Sequence, residues 1–85
     1  MEISTSDTEN QATVVEVRGD VDAYTARDLE RTLSDLLAEG RWRLVIDASR
    51  IGFISSAGLR AVLYAHREAL SRGGEVRLFG PGEAV

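Results

Sequence analysis

The feature that most limits the fold of this chain is the alternation of two hydrophobic patterns along it. Segments with apolar residues in alternation or in short runs are separated by segments whose apolar residues recur at spacings of three and four. The resulting order is strand, helix, strand, helix, strand. Such alternation predicts an α/β fold with a mostly parallel sheet, right-handed crossovers and helices packed against the sheet.

The pattern predicts a sheet of about four strands. Thr13–Gly19 alternates apolar and polar residues, which indicates that one face is less buried than the other. Residues 2–6 are expected to be an edge strand, joined to it as a hairpin through the turn-prone residues that follow. Trp42–Asp47 has consecutive apolar residues, which suit a strand covered on both faces, and its aspartate marks the carboxyl end. Glu75–Phe79 is the last predicted strand.

Two amphipathic helices are predicted between these strands. The first has Thr25 as its N-cap, Asp28 as the capping-box partner and Gly40 as its stop. The second begins at the two serines 55–56 and ends before the glycines 73–74. The stripe of the first helix consists of Ala26, Leu29, Leu33, Leu36 and Leu37, and that of the second of Leu59, Val62, Leu63, His66 and Leu70.

The amino-acid composition excludes several classes of function. The 85 residues suit one small domain, residues 1–85, with a thin core. With no cysteine and one histidine, thiol catalysis and multi-histidine metal sites are excluded, and we expect neither metal nor cofactor. A net charge of −4 argues against nucleic acid and anionic membranes as partners. We therefore expect another protein as the partner. No apolar run approaches the ~20 residues that cross a bilayer, so we expect a cytoplasmic protein without membrane insertion.

The segment Ile51–Leu59 carries the main candidate site, because an apolar stretch there runs into Ser55 and Ser56 at a predicted helix start. The first amides of a helix are unpaired and carry partial positive charge, so a hydroxyl or phosphate there meets hydrogen-bond donors. Two interpretations are open at this point. In the first, the serine is an N-cap, which is the usual role of a serine at a helix start. In the second, it is a regulated site that accepts phosphate.

Loops at the carboxyl ends of parallel strands gather at one edge of a sheet, where open α/β sheets usually bind their ligands. Three predicted loops end there: residues 19–22, residues 47–56 and residues 80–82. Taken singly, the aspartates in them are ordinary turn and cap residues. Arg60 lies one helical turn beyond Ser56, close enough to pair with a phosphate there. The sequence therefore predicts one patch made of Asp20, Asp22, Asp47, Ser49, Ser55 and Ser56.

These residues resemble the STAS domain family, which sulfate transporters and bacterial anti-sigma factor antagonists share. Residues 19–22, followed by Thr25, Ala26 and Leu29, look like the first family motif. Asp47 together with residues 53–59 looks like the signature around the second helix, and the similarity covers most of residues 12–80.

The resemblance implies a function and a set of site residues. In the antagonist branch, the serine that matches Ser56 is phosphorylated by an anti-sigma factor with serine kinase activity. The unphosphorylated form binds this kinase, which then releases its sigma factor. Asp22 matches a family aspartate beside that serine, and Asp20 an acidic position two residues earlier. The partner-binding residues predicted on this basis and from the patch are Asp20, Asp22, Asp47, Ser49, Ser55, Gly58 and Arg60.

The chain departs from the family pattern in two ways. The residue before the phosphorylated serine is commonly aspartate, whereas this chain has Ser55, which removes a negative charge and offers a second hydroxyl to a kinase. The family domain usually continues with a helix, a strand and a helix, but this sequence stops at Val85. The expectation is either a fragment or a homodimer in which a second copy covers the shortened C-terminal side.

Two other functions fit parts of the sequence. A constitutive STAS adaptor of a transporter or signalling assembly would use the same fold without phosphorylation, and Ser55 in place of aspartate favours it somewhat. A metal-dependent phosphotransferase would hold magnesium with Asp20 and Asp22. The chain has no lysine and no glycine-rich phosphate loop, and Ser56 lacks the Gly-x-Ser-x-Gly elbow of serine hydrolases. The sequence therefore predicts a binding module and not an enzyme.

Overall fold

A computed structural model describes residues 1–8 and 10–80. The strands and helices follow one another along the chain as β1 (Glu2–Asp7), β2 (Thr13–Val21), α1 (Ala26–Ala38), β3 (Arg43–Ile54), α2 (Ser56–Ser71) and β4 (Glu75–Phe79). The strand order in the sheet is β1-β2-β3-β4. β1 runs antiparallel to β2, whereas β2, β3 and β4 are parallel. The predicted α/β fold, its mostly parallel four-stranded sheet and the N-terminal hairpin are confirmed.

The core lies between the sheet and α1, and the first predicted helix has the predicted stripe. All five of its apolar stripe residues are buried, and Leu29 and Leu33 are almost completely buried. They face alternate residues of the central strands, among them Val15, Val17 and Ile46. Each such side chain contributes about 1.5–3 kcal/mol by leaving water. α1 ends where predicted, since Gly40 follows it with a φ of +86°.

The prediction that β3 is covered on both faces is wrong. α1 and α2 contact each other and share one core, so both lie on the same face of the sheet. On the opposite face Val45 and Asp47 are only half-buried. The reason is topological: the strand order never reverses along β2, β3 and β4, and two right-handed crossovers in the same direction place both helices on one side.

The apolar stripe of α2 is also different from the predicted one. Its buried residues are small, namely Gly58, Ala61, Val62, Ala65 and Ala69. Leu59 and Leu63 are each 47% exposed and Leu70 is 55% exposed. Small side chains let α2 approach α1 and β4 closely, so the leucines of the helix point away from the core. No helix within residues 1–8 and 10–80 is long and apolar enough to cross a membrane.

Candidate functional site

The two serines lie where β2 and β3 end together against the start of α2. Ile54, the last residue of β3, pairs with Val21, the last residue of β2. The backbone N–H of Ser55 then donates a hydrogen bond to the carbonyl of Val21 at 2.7 Å. Because Asp22 follows Val21 directly, this bond joins the loop after β2 to the beginning of α2.

The two neighbouring serines have different environments. Ser55 is the N-cap of α2, with extended backbone angles (φ −78°, ψ 167°), and its Oγ accepts a hydrogen bond from the Gly58 N–H at 3.2 Å. Ser56 is the first residue of the helix and is exposed. Its own N–H and that of Ala57 belong to the first turn, where backbone donors have no partner within the helix. The cap interpretation therefore applies to Ser55, and Ser56 is the accessible hydroxyl.

Asp22 supplies the side-chain hydrogen bonds at the start of α1, whereas Thr25 is at the N-cap position as predicted but makes no side-chain cap bond. The Oδ1 of Asp22 accepts hydrogen bonds from the N–H groups of Tyr24 (2.9 Å) and Thr25 (2.7 Å) and from the Thr25 hydroxyl (3.0 Å). The Asp22 N–H donates in turn to Thr25 Oγ1 at 2.9 Å. These bonds, the one from the Thr25 backbone first, hold the pKa of Asp22 below its usual value. The predicted Thr25–Asp28 capping box is wrong, because Thr25 already has helical backbone angles and makes no side-chain cap bond of its own.

Asp20 is the next-to-last residue of β2. It pairs in register with Phe53, which is 48% exposed. A Cβ on the neighbouring Gly52 would lie 2.9 Å from Asp20 Oδ1, so the absence of a side chain at Gly52 leaves room for this carboxylate. Two carboxylates and one exposed aromatic ring thus lie at or next to the ends of β2 and β3.

Asp47 and Ser49 do not join this group, and the prediction of a single six-residue patch is wrong. Asp47 lies within β3 and not at its end, seven residues before Ile54, which corresponds to about 23 Å along a strand. Its Oδ1 accepts hydrogen bonds from the Ser49 N–H (3.0 Å) and the Ser49 hydroxyl (2.6 Å). These bonds, the one from the hydroxyl first, hold the pKa of Asp47 below its usual range. Gly80, from the third predicted loop, lies beside Ser49. Residues 81 and 82 of that loop lie outside the described residues.

The length of β3 explains this separation. The last residue of β4, Phe79, pairs with Asp47 in the middle of β3, so β3 continues well beyond the end of β4. β4 therefore ends beside the middle of β3, whereas β2 ends beside Ile54, the residue before the serines.

Gly58 supports the site by packing. It is buried, and a Cβ at this position would lie 2.7 Å from Ile54 Cγ1 and 2.8 Å from Val21 Cγ1. Glycine therefore allows the first turn of α2 to rest directly on the ends of β2 and β3. Its contribution to partner binding would be indirect, through the position of Ser56.

Two arginines line a shallow depression beside the first turn of α2. Arg60 of α2 and Arg27 of α1 border this depression of about 170 Å³, together with Glu30 and with Ala57, the residue after Ser56. Arg27 was not singled out from the sequence, because its proximity to α2 depends on how the two helices pack. Its position in the first turn of α1, a few residues after Asp20 and Asp22, could have identified it from the sequence.

The site so defined consists of Ser56, Asp20, Asp22, Phe53, Arg27 and Arg60, hereafter the Ser56 surface. Its charged side chains are exposed. Within residues 1–8 and 10–80, no three His, Asp or Glu side chains are grouped in a way that suits a metal ion. The arrangement suits a protein-binding surface with one modifiable hydroxyl.

Comparison with known proteins agrees with this architecture. The family model described as "Mlab, STAS domain" matches residues 4–85. BtrV of Bordetella bronchiseptica, described as a candidate anti-sigma factor antagonist, is 37% identical over 73% of this chain and 53% of its own length. The anti-sigma-F factor antagonist RsfB of Mycobacterium tuberculosis is 33% identical over 74% of this chain and 51% of RsfB.

A solved structure has the same fold. The anti-sigma factor antagonist SpoIIAA in its unphosphorylated form superposes with a TM-score of 0.82 over 95% of this chain and 74% of SpoIIAA, at 20% identity. SpoIIAA from Bacillus in its phosphorylated form gives 0.81 over 96% of this chain and 75% of that chain, at 19% identity. The chain spans about half the length of the curated relatives that it matches. The resemblance to the STAS domain inferred from the motifs is confirmed: this chain belongs to the STAS domain family.

Proposed function

We propose that this chain is an anti-sigma factor antagonist whose binding to an anti-sigma factor with serine kinase activity is switched by phosphorylation of Ser56. The observation that carries the proposal is the difference between the two serines. The hydroxyl of Ser55 is bound to the Gly58 N–H, whereas Ser56 is exposed at the first position of α2. The name of RsfB and the two forms of SpoIIAA support the same assignment. The chain is then a substrate of a kinase and not itself an enzyme, and it acts in the cytoplasm.

The unphosphorylated Ser56 surface is built to contact another protein. Phe53 supplies exposed apolar area, and aromatic side chains of this kind often dominate binding energy at interfaces. Asp22 is held in one position by its bonds to the start of α1, so little ordering is required when a partner binds it. The expected partner surface has cationic groups opposite Asp20 and Asp22 and a small apolar recess for Phe53.

Phosphorylation changes this surface locally. A phosphate adds about −1.5 to −2 charges and three strong acceptors. The free amides of the first turn of α2 and the nearby Arg60 stabilise that charge within the chain, so the domain stays folded. The kinase must hold nucleotide phosphates opposite Ser56, and a phosphate on Ser56 therefore repels them after transfer. The bound complex is weakened without any change of fold.

The test uses the cognate kinase, ATP and three proteins: the wild type, Ser55→Ala and Ser56→Ala. We expect a single phosphate on Ser56 in the wild type and in Ser55→Ala, located by peptide mass mapping, and none in Ser56→Ala. Calorimetry should then show that the phosphorylated wild type binds the kinase at least about tenfold more weakly, a difference of about 1.4 kcal/mol. Phosphate on Ser55 would reject the assignment. Tight binding with no phosphate transfer would instead indicate the constitutive adaptor.

A further inference from the structure

A groove lies between α1 and α2. Its larger part has a volume of about 440 Å³, and the buried side chains that line it are Leu33, Leu37, Ala61 and Ala65. The depression beside the first turn of α2 adjoins it, because both are lined by Glu30, Ala61 and Tyr64. All of the lining residues belong to α1, α2 and the segments directly before α1 and β3, and none belongs to β4. We call the two parts together the interhelix groove.

The larger part of the groove presents two aromatic rings. Trp42 is 36% exposed and Tyr64 is 54% exposed. The indole N–H of Trp42 donates to the Leu37 carbonyl at 3.3 Å, and the guanidinium carbon of Arg72 lies 5.7 Å from the centre of the indole ring. Arg72 is itself paired with Glu68 at 3.2 Å. Trp42 is therefore held in place before a partner arrives, which lowers the entropy lost on binding.

The smaller part of the groove is cationic. Arg27 and Arg60 border it, and neither forms an ion pair within residues 1–8 and 10–80. Arg31, about one turn further along α1, is in contrast paired with Asp28. Two unpaired guanidinium groups at one depression attract a carboxylate, which they hold through paired hydrogen bonds. Glu30, where the two parts of the groove meet, likewise has no ion-pair partner in the described part of the chain and attracts a cation.

We propose that the interhelix groove binds an amphipathic helix of the anti-sigma factor, an inference that rests on the proposed function because that function names the partner. The groove follows α2 from Arg60 to Glu68, which corresponds to about 12 Å along the helix. On a helix that lies along the groove, residues at i, i+3 or i+4, and i+7 share one face and span about 10.5 Å. A carboxylate, a cation and an apolar side chain at these positions match the arginine pair, Glu30 and the two aromatic rings. Helix-in-groove recognition of this kind is anchored by such regularly spaced side chains.

The groove suits a protein segment better than a small molecule. Sites for small molecules place a few buried polar groups where they orient the ligand. Within residues 1–8 and 10–80 every buried side-chain nitrogen or oxygen already has a hydrogen-bond partner, so none is left for this role. The charged side chains of the groove are exposed, as they are at the rim of protein interfaces. Arg27 and Arg60 also belong to the Ser56 surface, so one partner covers both.

The first test measures the affinity of the anti-sigma factor, by calorimetry, for the wild type, Tyr64→Ala and Arg27→Glu. Tyr64 lies about 12 Å along α2 from Ser56, so its replacement leaves the hydroxyl and the cap of the helix unchanged. We expect each variant to bind at least about tenfold more weakly than the wild type. Two controls carry matching changes outside the groove. Leu70→Ala removes an exposed apolar side chain of α2 and Arg31→Glu reverses a charge on α1, and both should bind like the wild type.

The outcomes separate this inference from the proposed function. Circular dichroism first verifies that every variant is folded. If Tyr64→Ala and Arg27→Glu then bind as tightly as the wild type, or if the two controls lose as much affinity, the groove is not the docking site, and binding of the wild type leaves the proposed function standing. If the wild type does not bind the anti-sigma factor, the proposed function is wrong and this inference is wrong with it.

Trp42 allows a direct test, because it is the only tryptophan among the 85 residues. A chain labelled with fluorotryptophan therefore gives one fluorine resonance from within the groove. We expect this resonance to shift when unlabelled anti-sigma factor is added, and the ring to become less accessible to a soluble quencher. An unchanged resonance in a complex that calorimetry shows to be saturated would overturn the proposal, because the ring would then lie outside the interface.

Discussion

Replacing Ser55 by alanine should destabilise the protein, whereas the same change at its neighbour Ser56 should not. Ser55 caps α2 through the 3.2 Å bond to the Gly58 N–H, and alanine leaves that donor without its partner. Loss of such a cap costs about 1 kcal/mol, within a range of 0.5–2. Ser56 is exposed, and a surface substitution there changes the free energy of unfolding by less than about 0.5 kcal/mol.

Ser55→Asp completes the comparison, because aspartate caps a helix as well as serine does. Its charge also lies near the positive end of α2, which adds about 0.3–1 kcal/mol of stability. In the family that the chain resembles, aspartate commonly precedes the phosphorylated serine. Since serine and aspartate both cap helices, this position keeps its capping role with either residue. The departure from the family pattern then changes charge and leaves the helix start intact.

The assay is thermal unfolding monitored by circular dichroism at a pH near neutrality. For a domain of this size, 1 kcal/mol corresponds to a change in Tm of about 4–8 °C. Ser55→Ala should therefore melt several degrees below the wild type, Ser56→Ala at the same temperature and Ser55→Asp at the same temperature or higher. Equal Tm values for the two alanine variants, or a loss in Ser55→Asp as large as in Ser55→Ala, would refute the capping argument.

Three further outcomes follow from individual contacts. Gly58→Ala should lower the free energy of unfolding by about 1–2 kcal/mol in urea titrations, since overpacking against two buried strand residues outweighs the gain in helix propensity. Gly74→Ala should cost more, about 3 kcal/mol, because its Cβ would lie 1.9 Å from the rigid carbonyl oxygen of Trp42; a smaller loss than for Gly58→Ala would contradict this. The bonds from Thr25 lower the pKa of folded Asp22, so its share of the stability is present above the unfolded value of about 3.9 and is lost as the pH falls through the folded pKa. Asn also caps a helix, so in Asp22→Asn the free energy of unfolding should depend less on pH below about pH 4 than in the wild type. Identical slopes of this free energy against pH in the two proteins would show that Asp22 does not contribute.

The two helices show how far a hydrophobic pattern can be taken. In α1 the large apolar residues fall on one stripe, and that stripe is the buried one. In α2 the same rule selected leucines that are exposed, because the helix packs through glycine and alanine instead. Periodicity places a helix and its faces, but close approach between elements favours small residues, and no local pattern shows where that approach occurs.

The site was predictable where its residues are joined by short stretches of chain. The hydroxyl pair at the start of α2 and the loop with Asp20 and Asp22 were both identified, and they do meet through the Val21–Ser55 bond. Asp47 was misplaced because consecutive apolar residues ended there while the strand continued for seven more. The end of a strand depends on its hydrogen-bonding neighbours, which in this case are the last residues of β2.

The sequence by itself determined the order of the elements, the α/β class and the serine pair at a helix start, because these follow from local periodicity and capping chemistry. Tertiary structure decided which serine is free, since only the packed helix start shows Ser55 bound to Gly58 and Ser56 exposed. It also decided that both helices share one face and that Arg27 and Arg60 border one depression. Those features depend on contacts between residues far apart in the chain, for which local sequence carries no signal.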